Sequence, residues 1–397
     1  MIQIKETILR MSEEIRSEVI SFRRRFHMNP ELSFEEYETS SIICSFLDEN
    51  GIRYRKDVAG TGIIGEIKGS LPGGKVVALR AEMDALPLNE RNVTSYSSSR
   101  PGKMHACGHD AHMAMLLGAA KLLNGLKDSF AGTILLIFQP GEELAPGGAR
   151  LMIESGAFND PKPDIVLAQH VLPELETGKV GYKAGRYMAS SDEIYITISG
   201  KGGHAALPAA STDQIYIASL LVVKLKETIG SQKAKGIPTV LGIGRIRGDG
   251  ATNVIPEKVE IAGTFRTFDE KWRAEAKELI KNISSEMAGE KGVSIEVRIV
   301  QGYPVLKNDE KLTARAIELS SELLGKDNVE IFEFRMSSED FAYFTEAFPS
   351  VYFRAGIKKR GEAMKNLHSP EFDIDEEALE TGVANLCWLT VNFLSDN

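Results

Sequence analysis

The sequence predicts an α/β fold in which a mixed sheet is flanked by helices, with an α+β domain inserted into it. Continuous apolar runs at residues 76–79, 133–138 and 164–169 are typical of parallel strands that are buried on both faces. Helical patterns separate these runs, notably over residues 111–126, as an α/β sheet requires. From residue 193 to 300 the elements instead follow the order β-α-β-β-α-β, which is typical of a ferredoxin-like domain.

The α+β segment is predicted to be an insertion, because α/β patterning resumes after Tyr303. We therefore predict a discontinuous domain of residues 1–187 and 303–397, interrupted by an inserted domain of residues 188–302. A chain of 397 residues is long for a single hydrophobic core, which also favours two domains.

The N-terminal segment predicts two helices. Apolar residues recur at steps of three and four from residue 4 to 26, the pattern of an amphipathic helix, and Asn29-Pro30 ends it. A second helix is predicted over residues 35–50. The basic run Arg23-Arg24-Arg25 is interpreted as a solvated helix face, and His27 as a capping residue at the helix end.

Two glycine-rich segments resemble nucleotide-binding loops but lack the required context. Residues 60–65 match the dinucleotide fingerprint, yet alternating apolar residues predict a short strand where a helix should begin. Residues 69–76 nearly spell a P-loop, but Val76 stands where Ser or Thr would bind magnesium. Pro72-Gly73-Gly74 is interpreted as a turn.

The remaining elements follow from alternation and helical periodicity. Ser211-Thr212-Asp213-Gln214 resembles a capping box that opens a helix reaching about residue 228. Predicted strands cover residues 193–198, 238–246, 257–268, 293–300, 329–334 and 351–355, and further helices cover residues 270–287, 308–324 and 375–393.

Composition and charge argue against several classes of partner. The net charge of −9 argues against nucleic acid, which would require a basic face. No apolar run approaches the about 18 residues that span a bilayer, and the N-terminus lacks the apolar core of a signal peptide. Three widely spaced cysteines form no disulfide framework, so we expect a cytoplasmic protein.

Candidate metal ligands concentrate in residues 104–112, which contain three of the seven histidines together with Cys107 and Asp110. Gly108, between Cys107 and His109, permits a tight backbone turn that lets a thiolate and an imidazole converge on one ion. Further acids and a histidine fall where predicted strands end, the edge at which open sheets bind ligands. By residue type the candidates are Cys107, His109, Glu142 or Glu143, His170, Asp84 and His368.

This donor set predicts a hydrolytic site with two metal ions. Five or six mixed ligands exceed what one tetrahedral zinc needs, and they suit two ions that share a bridging water. A spare carboxylate could then act as general base. Two other classes stay open: a hydrolase with Cys107 as covalent nucleophile, and a non-catalytic metal-binding or oligomeric binding protein.

The ordered motifs resemble those of the metal-dependent M20 peptidases and amidohydrolases, in particular hippurate hydrolases, indole-acetyl-amino-acid hydrolases and aminoacylase-carboxypeptidases. The similarity runs from residue 22 to His368. Its strongest marks are residues 104–110, residues 139–143, Gly202-Gly203-His204 and Ser338-Glu339-Asp340-Phe341.

The resemblance implies a zinc-peptidase-like catalytic domain that hydrolyses the amide bond of N-acyl amino acids, with a metallocarboxypeptidase acting on short or N-blocked peptides as the alternative. Two divalent ions, zinc or manganese first and cobalt or nickel next, are implied. Their ligands would be Cys107, His109, Glu143, His170 and His368. Glu142 would be the general base, and Asp84 would orient a ligand histidine. The residues alone leave the roles of Glu142 and Glu143 undivided.

The resemblance makes the inserted domain a dimerisation or lid domain, so a homodimer or a higher homo-oligomer is expected. His204 would stabilise the oxyanion in the neighbouring subunit, against the alternative of a surface loop histidine. Asn253 and Arg266 would contact substrate; Arg266 could clamp a carboxylate or form a surface ion pair. His105 and His112 are expected to support the site rather than bind metal.

Three residues depart from the family pattern. Glu82 stands where Asp is usual, Gly141 where Ala is frequent, and Ala111 where Gly is frequent. No implied ligand is lost, so an inactive relative is disfavoured.

Overall fold

The computed structural model describes residues 2–207, 211–233 and 236–395. Its contacts divide the chain into two compact units. The first unit contains Met1–Tyr187, Lys307–Glu333 and Asp340–Asn397, and the second contains Met188–Leu306 and Phe334–Glu339.

The helices, in chain order, are α1 (Ile2–Met28), α2 (Tyr37–Glu49), α3 (His109–Gly125), α4 (Gly148–Glu154), α5 (Gln214–Gln232), α6 (Glu270–Lys291), α7 (Glu310–Leu324), α8 (Ala342–Ala347) and α9 (Ala378–Ser395). Aspartates cap three of them: Asp213, Asp269 and Asp309 each accept a hydrogen bond from the N–H three residues ahead. The cap of α5 is therefore Asp213 rather than the predicted Ser211.

The strands, in chain order, are β1 (Arg53–Val58), β2 (Gly62–Lys68), β3 (Leu71–Glu82), β4 (Ala131–Gln139), β5 (Ile165–Glu176), β6 (Val180–Tyr182), β7 (Gly185–Met188), β8 (Asp192–Ser199), β9 (Gly203–His204), β10 (Thr239–Arg247), β11 (Val254–Ile255), β12 (Lys258–Thr267), β13 (Ser294–Gln301), β14 (Leu306–Asn308), β15 (Val329–Ile331) and β16 (Ser350–Lys358).

The first unit is built on an eight-stranded sheet of order β1-β2-β4-β3-β5-β16-β6-β15. Its centre is parallel: β3 pairs with β4 and β5, and β5 pairs with β16. β2 is antiparallel to β4, so the sheet is mixed, as predicted. Successive residues of the central strands are buried on both faces, and α1, α3 and α9 contribute to the same apolar core. The predicted α/β class is confirmed.

The second unit is a four-stranded antiparallel sheet of order β10-β12-β8-β13. With α5 and α6 it has the strand order of a ferredoxin-like fold, and the two helices share its apolar core. β9 and β11 form a separate two-stranded ladder. No helix among the described residues is long and apolar enough to cross a membrane.

Two predicted boundaries of the inserted domain need correction. Residues 303–306 and 334–339 were predicted to lie in the first domain, but they belong to the second unit. The reason is local hydrogen bonding. The N–H of Val305 bonds Glu270 on α6, and the N–H of Ala189 bonds the carbonyls of Arg335 and Ser337.

Three further predictions, for residues 72–74, Arg23 and His27, are wrong because the tertiary contacts of these residues differ from those expected. Pro72-Gly73-Gly74 is not a free turn, since it lies inside β3 at a register shift against β4. Arg23 is not solvated but fully buried, 2.8 Å from both Asp110 and Asp373. His27 does not cap the helix, because its Nδ1 lies 2.7 Å from Asp110.

Candidate active site

The carboxyl ends of β3 and β4 place three acids of the site at one edge of the sheet. Glu82 and Gln139 are the last residues of these strands and lie opposite each other in register. Asp84 follows β3, while Glu142 and Glu143 follow β4. His170 differs from its prediction, because β5 continues to Glu176. It nevertheless lies at the same edge, two residues beyond the last position at which β5 pairs with β3.

The Cys107-Gly108-His109 segment requires glycine at its centre. Gly108 has φ of +86°, and a Cβ there would lie 2.4 Å from Cγ2 of Val171. The chain can therefore turn against β5 and begin α3 at His109. The His368 loop is attached to the same segment, because the N–H of His368 bonds the carbonyl of Ala106 over 2.8 Å.

Two groups of potential ligands meet at Cys107. The ligand atoms of Cys107, His109 and His170 all lie within 4.8 Å of one another, as do those of Cys107, Glu143 and His368. Cys107 Sγ lies 3.4 Å from His170 Nε2 and 3.3 Å from His368 Nε2. His368 Nε2 also lies 3.3 Å from Glu143 Oε1. Two adjacent sites that share a sulfur ligand would suit two ions.

The remaining hydrogen bonds leave ligand lone pairs unused, which is the local evidence that a metal fits. His109 Nδ1 donates to the carbonyl of Asp84 over 2.8 Å, and its buried Nε2 has no hydrogen-bond partner. His170 Nδ1 donates to the carbonyl of Val171, which leaves Nε2 as the basic nitrogen. Glu143 Oε1 is also buried without a hydrogen-bond partner. Such orphaned acceptors are costly unless a cation or donor satisfies them.

Asp84 organises both strand ends. Its Oδ1 lies 3.3 Å from His109 Nδ1, so the carboxylate supports the imidazole on the side away from Nε2. Its Oδ2 accepts from the Ser33 hydroxyl and from the N–H of Glu143. The structure therefore places Asp84 where it orients two potential ligands at once.

Without a bound ion, the surroundings of His109 and Cys107 favour the protonated forms of both side chains, so a divalent cation would have to displace those protons. Burial lowers the pKa of His109, but the hydrogen bond with Asp84 and the charge of Glu82 outweigh it and raise the pKa to about 10. Burial and the charges of Glu143 and Glu142 hold the pKa of the Cys107 thiol well above its ordinary value. A free thiolate nucleophile needs the opposite shift, so these surroundings disfavour Cys107 as a covalent nucleophile.

His112 and His105 lie beside the site without joining it. His112 Nδ1 donates to Glu82 over 2.8 Å and its Nε2 accepts from the N–H of Val171, so neither nitrogen is available to an ion. His105 is buried with both ring nitrogens unbonded, and burial lowers its pKa to about 3. Both histidines are therefore neutral neighbours of the potential ligands.

The sequence interpretation assigned no role to four residues around the Glu142 loop, although two of them, Gln139 and Asp340, lie in motifs that carry the family resemblance. Arg80, Gln139 and Asp340 form a buried hydrogen-bonded cluster at its base. Glu36 accepts from the N–H of Gly141 over 2.8 Å. An arginine directly after an apolar strand run was an available signal for Arg80. Glu36 carries no such signal, because one acid among the several of residues 31–38 has no distinguishing context.

The remaining candidates belong to the second unit. His204 and Asn253 are neighbours there, since His204 pairs with Val254 and the N–H of Ala205 bonds the carbonyl of Asn253. Both residues are exposed. Arg266, on β12, is half-buried and donates only to the carbonyl of Met336 and the hydroxyl of Ser338. No described carboxylate pairs with it, so the predicted alternative of a surface ion pair is wrong.

A mixed sheet whose edge gathers a thiol, three imidazoles and two carboxylates defines a metal-dependent hydrolase. Residues 78–390 match the sequence model of peptidase family M20/M25/M40, and the chain belongs to that family. It is an amidohydrolase or peptidase of the M20 type.

Two sequence relatives and one solved structure show the extent of the likeness. The chain is 40% identical to an N-acyl-L-amino acid amidohydrolase of Geobacillus stearothermophilus over 77% of this chain and 82% of that protein. It is 37% identical to thermostable carboxypeptidase 2 of Saccharolobus solfataricus over 96% of each. A dinuclear metal-binding M20 peptidase of Bacillus subtilis superposes with a TM-score of 0.82 at 33% identity, covering 96% of this chain and 99% of that one.

Proposed function

We propose that this protein hydrolyses the amide bond of N-acyl amino acids and releases a carboxylic acid and a free amino acid. The observation that carries the proposal is the pair of ligand groups sharing Cys107, with a carboxylate oxygen of Glu142 within 4.8 Å of ligand atoms of His109 and Glu143. The name of the Geobacillus relative supports the substrate class.

Cys107, His109, Glu143, His170 and His368 would hold two divalent ions. The mixture of sulfur, nitrogen and oxygen donors suits zinc or manganese, with cobalt or nickel as further candidates. Such a pair of ions would supply a water of lowered pKa and polarise the scissile carbonyl. Asp84 keeps His109 and Glu143 oriented toward that position.

Glu142 acts as the proton carrier. Its side chain is buried, and Oε1 accepts from the N–H of Asp340 over 3.4 Å, a long hydrogen bond. Glu142 removes a proton from the attacking water and returns it to the nitrogen of the leaving amine. The neighbouring Glu143 donates its backbone N–H to Asp84, and one of its carboxylate oxygens lies within 4.8 Å of one of Glu142.

Arg266 supplies the selectivity for a free carboxylate. Burial lowers the pKa of its guanidinium. Among the residues that the structure describes, its donors meet only uncharged oxygens, so it retains capacity for an anion. Asn253 contributes an exposed amide to substrate binding, and His204 stabilises the oxyanion of a neighbouring subunit.

A dimer would supply the neighbouring subunit on which His204 is proposed to act. Exposed apolar side chains lie on α5, at Ile215, Tyr216 and Val223, and on the edge strand β10, at Val240 and Ile246. An uncovered apolar helix next to an unpaired strand edge suits a second copy of the chain. We therefore propose a homodimer or a higher homo-oligomer. A cytoplasmic location is proposed because all three cysteines are free.

A carboxypeptidase acting on short or N-blocked peptides is the second candidate. It is supported by the identity with the Saccharolobus carboxypeptidase. Both substrate classes place an amide next to a free carboxylate, so Arg266 would serve either reaction.

The deciding experiment is a hydrolysis screen of protein reconstituted with Zn²⁺, Mn²⁺, Co²⁺ or Ni²⁺. The panel holds N-acetyl, N-benzoyl and indole-acetyl amino acids beside N-blocked dipeptides. We expect chelator-sensitive release of amino acids from the acyl conjugates. Faster turnover of the dipeptides would favour the carboxypeptidase. Bound metal without turnover of any compound would overturn both proposals, and activity blocked by thiol alkylation but insensitive to chelator would indicate Cys107 as nucleophile.

A further inference from the structure

The Asp340 carboxylate closes the base of the loop that carries Glu142. Residues 140–147 connect β4 to α4. The side-chain amide of Gln139, just before the loop, donates to Asp340 Oδ2 over 2.7 Å. The N–H of Ala149, just after the loop, donates to the same oxygen over 3.0 Å. One oxygen atom therefore ties together both ends of the loop.

The same residue also contacts the top of the loop, since its backbone N–H is the donor to Glu142 Oε1. Asp340 thus contacts the beginning of the loop, its end, and Glu142, the proposed general base. Asp340 and Gln139 are both fully buried, so these bonds are shielded from water and hold their geometry firmly.

Arg80 fixes the orientation of Asp340. Its Nη2 donates to Asp340 Oδ1 over 2.6 Å, and its Nε donates to the amide oxygen of Gln139 over 2.8 Å. A planar guanidinium that bonds both partners leaves them little freedom to rotate. Because Arg80 lies on β3, a central strand of the eight-stranded sheet, its guanidinium connects the loop to the buried centre of the unit.

The network continues to the opposite side of the site. Arg80 Nη1 also donates to Glu82 Oε1, and Glu82 Oε2 accepts from His112 Nδ1. His112 Nε2 in turn accepts from the N–H of Val171, the residue after His170. A continuous path of buried hydrogen bonds therefore joins the backbone beside His170 to Glu142.

We propose that Asp340 is a positioning residue that holds the Glu142 carboxylate in place for proton transfer, with Arg80 and Gln139 fixing Asp340. The proposal rests on the assignment of Glu142 as general base. Asp340 belongs to the Ser338-Glu339-Asp340-Phe341 motif, whose chemical purpose the sequence left open.

The test is the pair of variants Asp340→Asn and Asp340→Asn with Gln139→Glu. The single variant presents an amide NH₂ where Gln139 and Ala149 already donate, so the loop should shift. A displacement of about 1 Å can cost about 10²-fold in rate, so we expect kcat to fall by about that factor while KM and the two bound ions are retained. The double variant reverses donor and acceptor between residues 139 and 340 and preserves the charge beside Arg80. The N–H of Ala149 still faces the new amide group, so the double variant should restore only part of kcat.

Asp192→Asn is the matched control. Asp192 is a buried aspartate paired with Arg273 in the second unit, 2.7 Å from its Nε. That variant should lose stability without losing kcat. If Asp340→Asn does not fold, Gln139→Leu removes one of the three donors to Asp340, together with the acceptor of Arg80 Nε, and should give a smaller fall in kcat. Unchanged kcat in a folded Asp340 variant, or loss of metal in place of kcat, would overturn the proposal.

Crystal structures of the variants separate this inference from the proposed function. We expect residues 140–147 and the Glu142 carboxylate to move in Asp340→Asn, while Cys107, His109 and His170 stay in place. If the wild-type protein hydrolyses nothing in the substrate panel, the proposed function fails, and the position of Glu142 in these structures alone decides the inference. An unmoved loop would then reject it.

Discussion

The guanidinium of Arg23 lies 2.8 Å from the carboxylate of Asp110, and neither side chain is exposed to solvent. This pair joins α1 to the first turn of α3, directly beside His109. Burial raises the pKa of Asp110, but the charges of Arg23 and His27 outweigh it and hold the pKa below its ordinary value. The pair therefore stays ionised and anchors the segment that carries the potential ligands.

Replacing Arg23 should destabilise the first unit strongly. Among the described residues, Arg23→Met leaves the buried Asp110 with His27 as its one remaining side-chain hydrogen-bond partner, which should lower the free energy of unfolding by about 3–5 kcal/mol. Arg24→Met is the matched control. Arg24 also stacks on Tyr96, but its side chain is 44% exposed and pairs with Glu376, so its loss should cost less than about 1 kcal/mol. Urea denaturation measures both, and equal losses would contradict the difference in burial.

Glu36 should give the protein a recognisable pH dependence. Burial raises the pKa of this carboxyl from 4.5 to about 7, despite hydrogen bonds from Thr61 and the N–H of Phe34. The folded state then keeps a proton that the unfolded chain loses, so wild-type stability should fall as pH rises from about 4.5 to about 7 and then level off.

Glu36→Gln removes this titration and keeps the shape of the side chain. Relative to wild type, the variant should gain up to about 3 kcal/mol in stability between pH 5 and pH 8. Thermal denaturation across that range measures the gain. Glu35→Gln, at an exposed neighbouring residue, should follow the wild-type curve. Parallel curves for Glu36→Gln and wild type would show that Glu36 is ionised in the folded protein.

Gly108→Ala should disrupt metal binding. The substitution places a Cβ against Val171 in a left-handed conformation, so the Cys107 and His109 side chains must move. Gly102→Ala is the control, because Gly102 has φ of +80° but nothing within 4 Å of its added Cβ. Gly102→Ala should cost only the conformational penalty of about 1–2 kcal/mol and keep its metal content. Normal metal content in Gly108→Ala would contradict the close packing of this turn.

Substitutions should distinguish the roles of Glu142 and Glu143. Glu142→Gln should lower kcat by about 10²–10⁴-fold while two ions remain bound, because only proton transfer is lost. Glu143→Gln should lower the metal content measured by elemental analysis. If Glu142→Gln retains near-normal turnover, another group is the base.

Arg266 should discriminate carboxylates from amides. The wild-type protein should have a higher kcat/KM for an N-acyl amino acid than for the corresponding C-terminal amide. In Arg266→Met, kcat/KM for the acid should fall while kcat/KM for the amide stays the same, so the preference is lost. A charge-assisted hydrogen bond contributes about 1.5–3 kcal/mol, so a loss of roughly 10- to 100-fold is expected. Arg266→Lys keeps the charge without the planar fork and should retain part of the preference. An equal loss on both substrates would indicate a structural role.

Much of the architecture could be predicted because local patterns of apolar and polar residues determine where helices and strands form. Apolar runs bounded by polar residues specify buried strands, and three-to-four spacing specifies the helices. The order of elements in residues 193–300 was sufficient to identify the ferredoxin-like unit. The donor types of the site, including Cys107 and His109, were visible for the same reason: rare residues stood close together or at strand ends.

The sequence by itself determined the α/β class, the inserted unit, the family and the chemical types of the potential ligands. Only the tertiary structure decided which lone pairs stay unbonded, that Arg23 is buried, and that Asp340 closes the Glu142 loop. Those properties depend on contacts such as Arg23 with Asp110, 87 residues apart, and Arg80 with Asp340, 260 residues apart. No local pattern encodes the burial or the hydrogen-bond partner of a side chain, because both are set by distant segments that meet only when the chain folds.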